Sequence, residues 1–544
     1  MASPDPPCAT WKFTNIHINL SPAELAHLDN KLWSEYGPFV VSPERAEELK
    51  EILALADNDI EMYASEVARI QEQLMVVQTK KERLETQRAK LRSLLSPMRK
   101  LSNEILLHIF KLATMHWTHI SSHHLPPYNG NQLSMLRWRA LALSSPSLWA
   151  NISVEMPTPP PDERKPLVGF IRTVARYLER SDDSPLKLML YIQGVPHEEM
   201  QALISSLTQH VHRWETFTYS GHYPLRRHSS WCGSHLPLLA ELELDIDTSE
   251  QDDELSGFDL HCFKDAPRLC ALTTTEVPTS MVPYHQLRHL KLRNSNSSLV
   301  EMLQRCPSIK SLELEGWEGY HTEYSEHYTS RNITSLAIII EGYQGSYLEL
   351  VFFTFDLPSL NTIVLDGYEG GWVSLPTETF ISFISRSSCM ITTFTLRSIP
   401  LSDLDLIAVL HVMPSLLHLE IEDYKWGYLH AQYTITLNLI SRLIQHESTS
   451  ISLVPKLHTL HLLSQCRHTG TFDDSTFVSM VESRWFRPGS DRSAEMSMMG
   501  RSCIRSVVLK FDWREVDAVV YKPLQILDRE GLRVVVAGTN GIQV

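Results

Sequence analysis

Pro358-Ser359-Leu360-Asn361-Thr362-Ile363-Val364-Leu365 is the stretch on which the fold of this 544-residue chain turns. An apolar residue stands two places after a proline. Two variable residues follow, then an apolar residue, one variable residue and a further apolar residue. The last two apolar positions are one residue apart, so on a strand they point to the same face, and the proline sets a turn ahead of the first. The pattern recurs at Pro237, Leu239, Leu242 and Leu244; at Pro307, Ile309, Leu312 and Leu314; at Pro414, Leu416, Leu419 and Ile421; and at Pro455, Leu457, Leu460 and Leu462. Copies without proline are Leu287-Leu290-Leu292, Ile333-Leu336-Ile338, Ile391-Phe394-Leu396 and Ile504-Val507-Leu509, and Pro267-Leu269-Leu272 is a degraded copy.

Helical stretches lie between copies, such as Leu299-Met302-Leu303-Cys306 and Leu404-Ile407-Val409-Leu410-Met413. A strand followed by a returning helix, repeated about ten times, predicts an α/β chain from 167 to 544: a leucine-rich-repeat-like solenoid with parallel strands on its concave face. The repeat is irregular. Its prolines at 237, 267, 307, 358, 414 and 455 are 30 to 56 residues apart, whereas ordinary repeats run roughly 20–29 residues.

Upstream, residues 1–57 read as a segment of short helices, with Ser42-Pro43 marking one helix start. Tyr63, Val67, Ile70, Leu74, Val77, Lys81, Leu84, Arg88, Leu91 and Leu95 alternate in steps of four and three, which is heptad spacing and predicts a coiled-coil-like helix over 58–95. Two readings stay open: a weak homodimer through 63–95, its seam weakened by Lys81 and Arg88, or a helix packed on its own chain. Ser96-Pro97 ends it, and Leu101, Ile105, Leu106, Ile109 and Phe110 then form a broad apolar helix face. A further helix is expected over 133–143. The Pro-rich stretch 156–166 is a stiff linker and the expected domain boundary.

The net charge of −15 offers no electrostatic reason to expect nucleic acid or an anionic membrane as a partner. Eight scattered cysteines without a C-x-x-C pair suit a reduced cytoplasmic or nuclear chain. The N-terminus lacks the basic and apolar regions of a signal peptide, and no apolar run approaches ~18 residues, so neither export nor a membrane span is expected.

Chemistry-bearing motifs are weak. His222, His228, Cys232 and His235, and separately His116, His119, His123 and His124, lack the converging ligand set that zinc needs, so no metal is expected. The turn Asp366-Gly367-Tyr368-Glu369-Gly370-Gly371 carries two acids and no Gly-Lys-Ser/Thr ending, unlike a phosphate loop. No cofactor and no enzymatic activity are expected. Glu241 to Asp259 holds nine acids and no basic residue, a solvated stretch or an attraction for a basic partner.

Two blocks together resemble a known family. Ser96-Pro97-Met98-Arg99-Lys100-Leu101, Glu104-Ile105-Leu106 and Ile109-Phe110 form the first; Trp138-Arg139-Ala140-Leu141-Ala142-Leu143-Ser144-Ser145-Pro146-Ser147-Leu148-Trp149 form the second. They resemble the F-box of the F-box proteins expanded in mushroom-forming fungi, whose usual companion is a leucine-rich-repeat-like domain. Ser102 stands where that family commonly has Pro, and its Val-Cys-Arg-x-Trp is reduced to Met135-Leu136-Arg137-Trp138. The resemblance implies an all-α F-box over 96–155 docking a Skp-type adaptor, and through it a cullin ubiquitin ligase, while the repeats hold an unknown protein substrate. Pro97, Leu101, Ile105, Leu106, Ile109 and Phe110 are the implied adaptor contacts, with Ile105 and Ile109 alternatively internal. Trp138, Leu141 and Trp149 are the implied F-box core. The alternative function is a repeat scaffold whose diverged F-box does not engage the ligase.

Overall fold

In a computed structural model, residues 43–113, 118–121, 136–156, 168–192, 198–221, 235–246, 263–275, 282–295, 298–317, 327–340, 346–367, 373–424, 433–445, 452–465, 472–487 and 498–542 are described. The chain divides into two units, residues 1–106 and 107–544.

The first unit holds one long helix, α1 (Pro43–Leu94). The expected short helices up to residue 55 and the separate helix from 58 are, from Pro43 onward, one element. Between Glu44 and Leu94 there is no Gly or Pro to break it. The expected helices before residue 43 lie outside the described residues. The heptad seam is exposed, from 45 % at Tyr63 to 83 % at Leu95. A single 3₁₀ turn, Pro97–Lys100, leads into α2 (Asn103–Ala113).

The second unit is built on a sixteen-stranded sheet whose strands follow sequence order. They are β1 (Thr118–Ser121), β2 (Asn151–Met156), β3 (Leu186–Ile192), β4 (Trp214–Gly221), β5 (Glu241–Ile246), β6 (Ala271–Thr274), β7 (His289–Arg293) and β8 (Ser311–Glu315), and then, after β9 (Tyr328–Thr329), β10 (Ser335–Ile340). Past β11 (Phe355–Asp356), which pairs with β9 outside the main sheet, come β12 (Thr362–Gly367), β13 (Thr393–Arg397), β14 (His418–Glu422), β15 (Thr459–Ser464), β16 (Ser506–Phe511), β17 (Arg533–Gly538) and β18 (Gly541–Ile542). Every neighbouring pair is parallel except the last. The crossovers carry α3 (Leu136–Leu143), α4 (Val168–Arg180), α5 (Glu198–Thr208), α6 (Leu299–Arg305), α7 (Ser346–Thr354), α8 (Thr377–Ser387), α9 (Asp403–His411), α10 (Leu437–Leu443), α11 (Asp474–Arg484) and α12 (Lys522–Arg529).

The repeated motif explains this arrangement residue by residue. Pro358 occupies the second position of a turn closed by the Leu360 N–H donating to the Leu357 carbonyl at 3.1 Å. Proline pre-sets the backbone angle that this position requires. The same bond closes the turns at Pro237, Pro267, Pro307, Pro414 and Pro455. The last two apolar positions then stack strand on strand. Leu312, Leu336, Ile363, Phe394, Leu419, Leu460, Val507 and Val534 form one ladder, and Leu314, Ile338, Leu365, Leu396, Ile421, Leu462, Leu509 and Val536 the other. These side chains join the inner faces of the helices in one continuous core. Each fully buried one contributes about 1.5–3 kcal/mol relative to exposure.

The sheet begins earlier than expected. β1 and all of β2 but its last residue, Met156, lie inside the segment 96–155, which is therefore not all-α; the residues of the Pro-rich stretch after Met156 lie outside the described set. Asn151-Ile152-Ser153-Val154-Glu155-Met156 alternates, and Trp149 stands three residues before Ile152, as the first apolar position does in each repeat copy. Among the described residues, no helix is long and apolar enough to cross a membrane.

Candidate functional site

Two surfaces merit construction from their residues: the helix α2 and the open face of the sheet. On α2 the Ser102 hydroxyl accepts from the Ile105 N–H at 3.5 Å, and the Ser102 carbonyl accepts from the Leu106 N–H at 3.0 Å. The helix then divides by its period. Leu106 is fully buried, and Leu107 and Phe110 pack against the core. Phe110 meets Trp138 edge-on, with ring centroids 5.9 Å apart. Ile105, Ile109 and Leu112, at i, i+4 and i+7, form the opposite stripe; Ile105 is 50 % and Leu112 52 % exposed, and Ile109 is half-buried.

Of the implied adaptor contacts, Pro97 is exposed and Leu101 half-buried. Leu106, expected among the adaptor contacts, is fully buried in this conformation. Phe110 is half-covered by Trp138 rather than free on the surface. Leu112, on the exposed stripe, was not singled out by the apolar run, because its phase shows only when the inward side of the helix is known.

Trp138 and Leu141, expected as core, are half-buried. Trp149 is buried, and its indole N–H donates to the Ala142 carbonyl at 2.8 Å. Its ring meets Tyr177 edge-on at 5.2 Å, and the Arg180 guanidinium lies 4.5 Å over it. Tyr177 and Arg180 belong to α4, so Trp149 ties the turn after α3 to α4.

The open face is set by the same alternation that builds the core, since residues between ladder positions point away from it. From β4 to β8 they bring together Glu241, Glu243, Asp245, Lys291, Arg293, Glu313 and Glu315. Lys291 lies 2.5 Å from both Glu313 and Glu315; Arg293 pairs with Glu243 and with Glu315, the latter at 3.2 Å. Partial desolvation opposes the charge on Lys291 and Arg293, but their carboxylate partners outweigh it and raise both pKa values. Desolvation likewise opposes the charge on Glu315, and its two cations still hold it below the usual carboxylate value. Thr216, Thr218 and Ser220 of β4 donate hydroxyls to Glu241, Glu243 and Asp245 in turn. Further along, Arg397 bridges Glu420 at 2.9 Å and Asp366 at 3.4 Å.

Cysteine chemistry is muted. Burial pushes the Cys306 thiol up to about 12 and Cys389 up to about 11, so both are protonated at neutral pH. His235 pairs with Asp265 at 2.7 Å; His222, His228 and Cys232 lie outside the described residues, as do His116, His123 and His124. Among the described residues no group of three or more His, Cys, Asp or Glu side chains gathers as a metal site. Asp366 lies on β12, and Tyr368 to Gly371 are outside the described set. Compared with known proteins, the sequence matches no family model and no curated protein.

Proposed function

We propose that this chain is the substrate-recognition subunit of a Skp/cullin/F-box ubiquitin ligase, acting in the cytoplasm or nucleus. In this reading α2 docks a Skp-type adaptor and the sheet, taken as a leucine-rich-repeat-like solenoid, holds a protein substrate on its open face. The chain is not an enzyme. It supplies position, bringing the substrate near ubiquitin-transfer chemistry carried by other subunits. The observation that carries the proposal is the apolar stripe of exposed Ile105 and Leu112 with half-buried Ile109 between them, on the helix bearing the F-box-like Glu-Ile-Leu and Ile-Phe pairs. Such stripes are costly to leave in water and suit helix-in-groove docking. Binding energy in such contacts concentrates in a few buried anchors, each contributing about 1.5–3 kcal/mol.

A second reading, a repeat scaffold that does not engage the ligase, is favoured by the burial of Leu106 and the cover on Phe110. Titrating purified Skp-type adaptor against the full chain separates the two. The Ile105→Glu, Leu112→Glu double variant is expected to stay folded and bind at least ~100-fold more weakly. Absence of binding by the wild-type chain, or undiminished binding by the variant, would favour the scaffold.

A further inference from the structure

We infer that the exposed seam of α1 is covered by a second copy of the chain running in the opposite direction, in an antiparallel pair centred between Ala68 and Arg69. Neither α2 nor the sheet takes part, so this pairing stands or falls apart from the ligase reading. From Leu53 to Leu84 the large apolar positions of the seam are 45–65 % exposed, and the heptad steps run upstream through Ile60 and Ala56 without a break. A face that repeats every seven residues fits a partner helix.

Turned end for end about the point between Ala68 and Arg69, the seam meets itself. Val67 comes level with Ile70 of the second copy, Tyr63 with Leu74, Ile60 with Val77 and Leu53 with Leu84. Each layer occurs twice, and each is apolar on both sides. These layers span 32 residues, about 48 Å of helix. A stripe ~100° wide on a helix ~12 Å across covers about 10 Å of its girth, so the pair buries roughly 1,000 Å² in total, enough for a specific interface.

Charge sets the direction. From Pro43 to Ala68 the helix carries eight acids and two basic residues; from Arg69 to Leu94 it carries seven basic residues and three acids. The ion pairs Lys50–Glu47, Arg69–Glu66 and Lys81–Glu85 each lie within a turn of the helix and leave this imbalance between its halves in place. A parallel pair stacks like on like and sets Lys81 and Arg88 against their own copies. An antiparallel pair lays the acidic half on the basic half and opposes the two helix dipoles. It also brings Lys81 level with Ala56, next to Asp57, and Arg88 level with Leu49. The two chains continue from opposite ends of the pair, and one dimer carries two copies of the sheet. A partner that presents the recognised surface more than once gains avidity from that bivalence.

Sedimentation velocity on the full chain is expected to show a dimer at micromolar concentration that dissociates on dilution. Lys81→Glu is expected to weaken it several-fold while circular dichroism stays unchanged. Adding Asp57→Lys to that chain is expected to restore association, which only direct coupling of the two positions produces; raised salt shrinks both effects. Direction is read by cross-linking: Leu53→Cys chains mixed with Leu84→Cys chains and oxidised in air are expected to give a disulfide between positions 53 and 84, located by peptide mapping. Disulfides joining 53 to 53 or 84 to 84 mean a parallel pair and overturn the inference, as does a Lys81→Glu chain that dimerises like the wild type. A chain that stays monomeric up to ~100 µM overturns it too, and leaves the seam to another part of its own chain or to a different protein. Adaptor titration, read at α2, tests the ligase reading separately.

Discussion

Three arginines show how single residues hold successive layers together. Arg213 donates to the Leu178 and Ser184 carbonyls and the Ser181 hydroxyl. Arg386 donates to the carbonyls of Phe352, Phe353 and Phe355, and Arg484 to those of Leu443, Leu453 and Val454. Arg213 reaches the end of α4, Arg386 the end of α7, and Arg484 the end of α10 together with the turn before β15; at helix ends carbonyls lack partners and the dipole favours a cation. Arg484 is completely buried, and desolvation lowers its pKa to about 9, so it remains charged at neutral pH. Arg484→Met leaves three buried carbonyls without this donor and is expected to cost roughly 3 kcal/mol by denaturant unfolding. Arg484→Lys restores only part, because an ammonium lacks the planar fork. These clamps were not legible in the sequence, since each joins residues some thirty to forty places apart. Asp473 was equally silent. It caps α11, and hydrogen bonds from Ser475 and Thr476 lower its pKa. A depressed carboxylate stabilises the fold above its unfolded pKa, and that contribution is lost as pH falls through the folded value. Asp473→Ala is therefore expected to cost about 1 kcal/mol at neutral pH, with the difference from wild type vanishing in an acid titration of stability.

At the scale of elements, the strands from β5 to β16 in the main sheet were legible because proline turns and paired leucines repeat there. The strands β1 to β4 and β17 escaped, for physical reasons that differ. In β4 the three apolar positions are Trp214, Phe217 and Tyr219, aromatic in place of leucine, with Trp214 stacked on Phe217 at 4.7 Å. β4 closes on Gly221, at φ +141°, where any Cβ would strike the Ile192 carbonyl. β2 follows Trp149, which the second family-like block had absorbed. In α2 the pattern named an apolar face but not its inward side. Leu106→Ala is now expected to destabilise the chain by about 2–5 kcal/mol, measured by thermal or denaturant melting, instead of acting as a pure binding mutation. For α1 the exposed seam makes the opposite expectation. Leu74→Glu with Leu84→Glu should leave the folded chain intact and abolish whatever concentration-dependent dimer light scattering detects. In a parallel dimer Lys81 and Arg88 would each face their own copies, so that dimer should be weak and should strengthen on Lys81→Leu.

For the whole molecule, the ladders of Leu, Ile, Val and Phe make the sheet a nearest-neighbour structure, in which each strand depends on the one before it. Because β1 and Trp149 belong to it, excising 97–149 would remove the first strand of the sheet and the tryptophan ahead of β2 together with the proposed docking module. Such a deletion cannot separate binding from folding, and point substitutions on the exposed stripe are the appropriate instrument. The measurement that bears most directly on the ligase assignment is the mass in solution of the full chain mixed with purified Skp-type adaptor, by light scattering on a sizing column. The expected result is co-elution of one adaptor per 62.3 kDa chain, lost with Ile105→Glu and Leu112→Glu while the variant elutes as wild type does alone. Separate elution of the wild-type chain and the adaptor would contradict it.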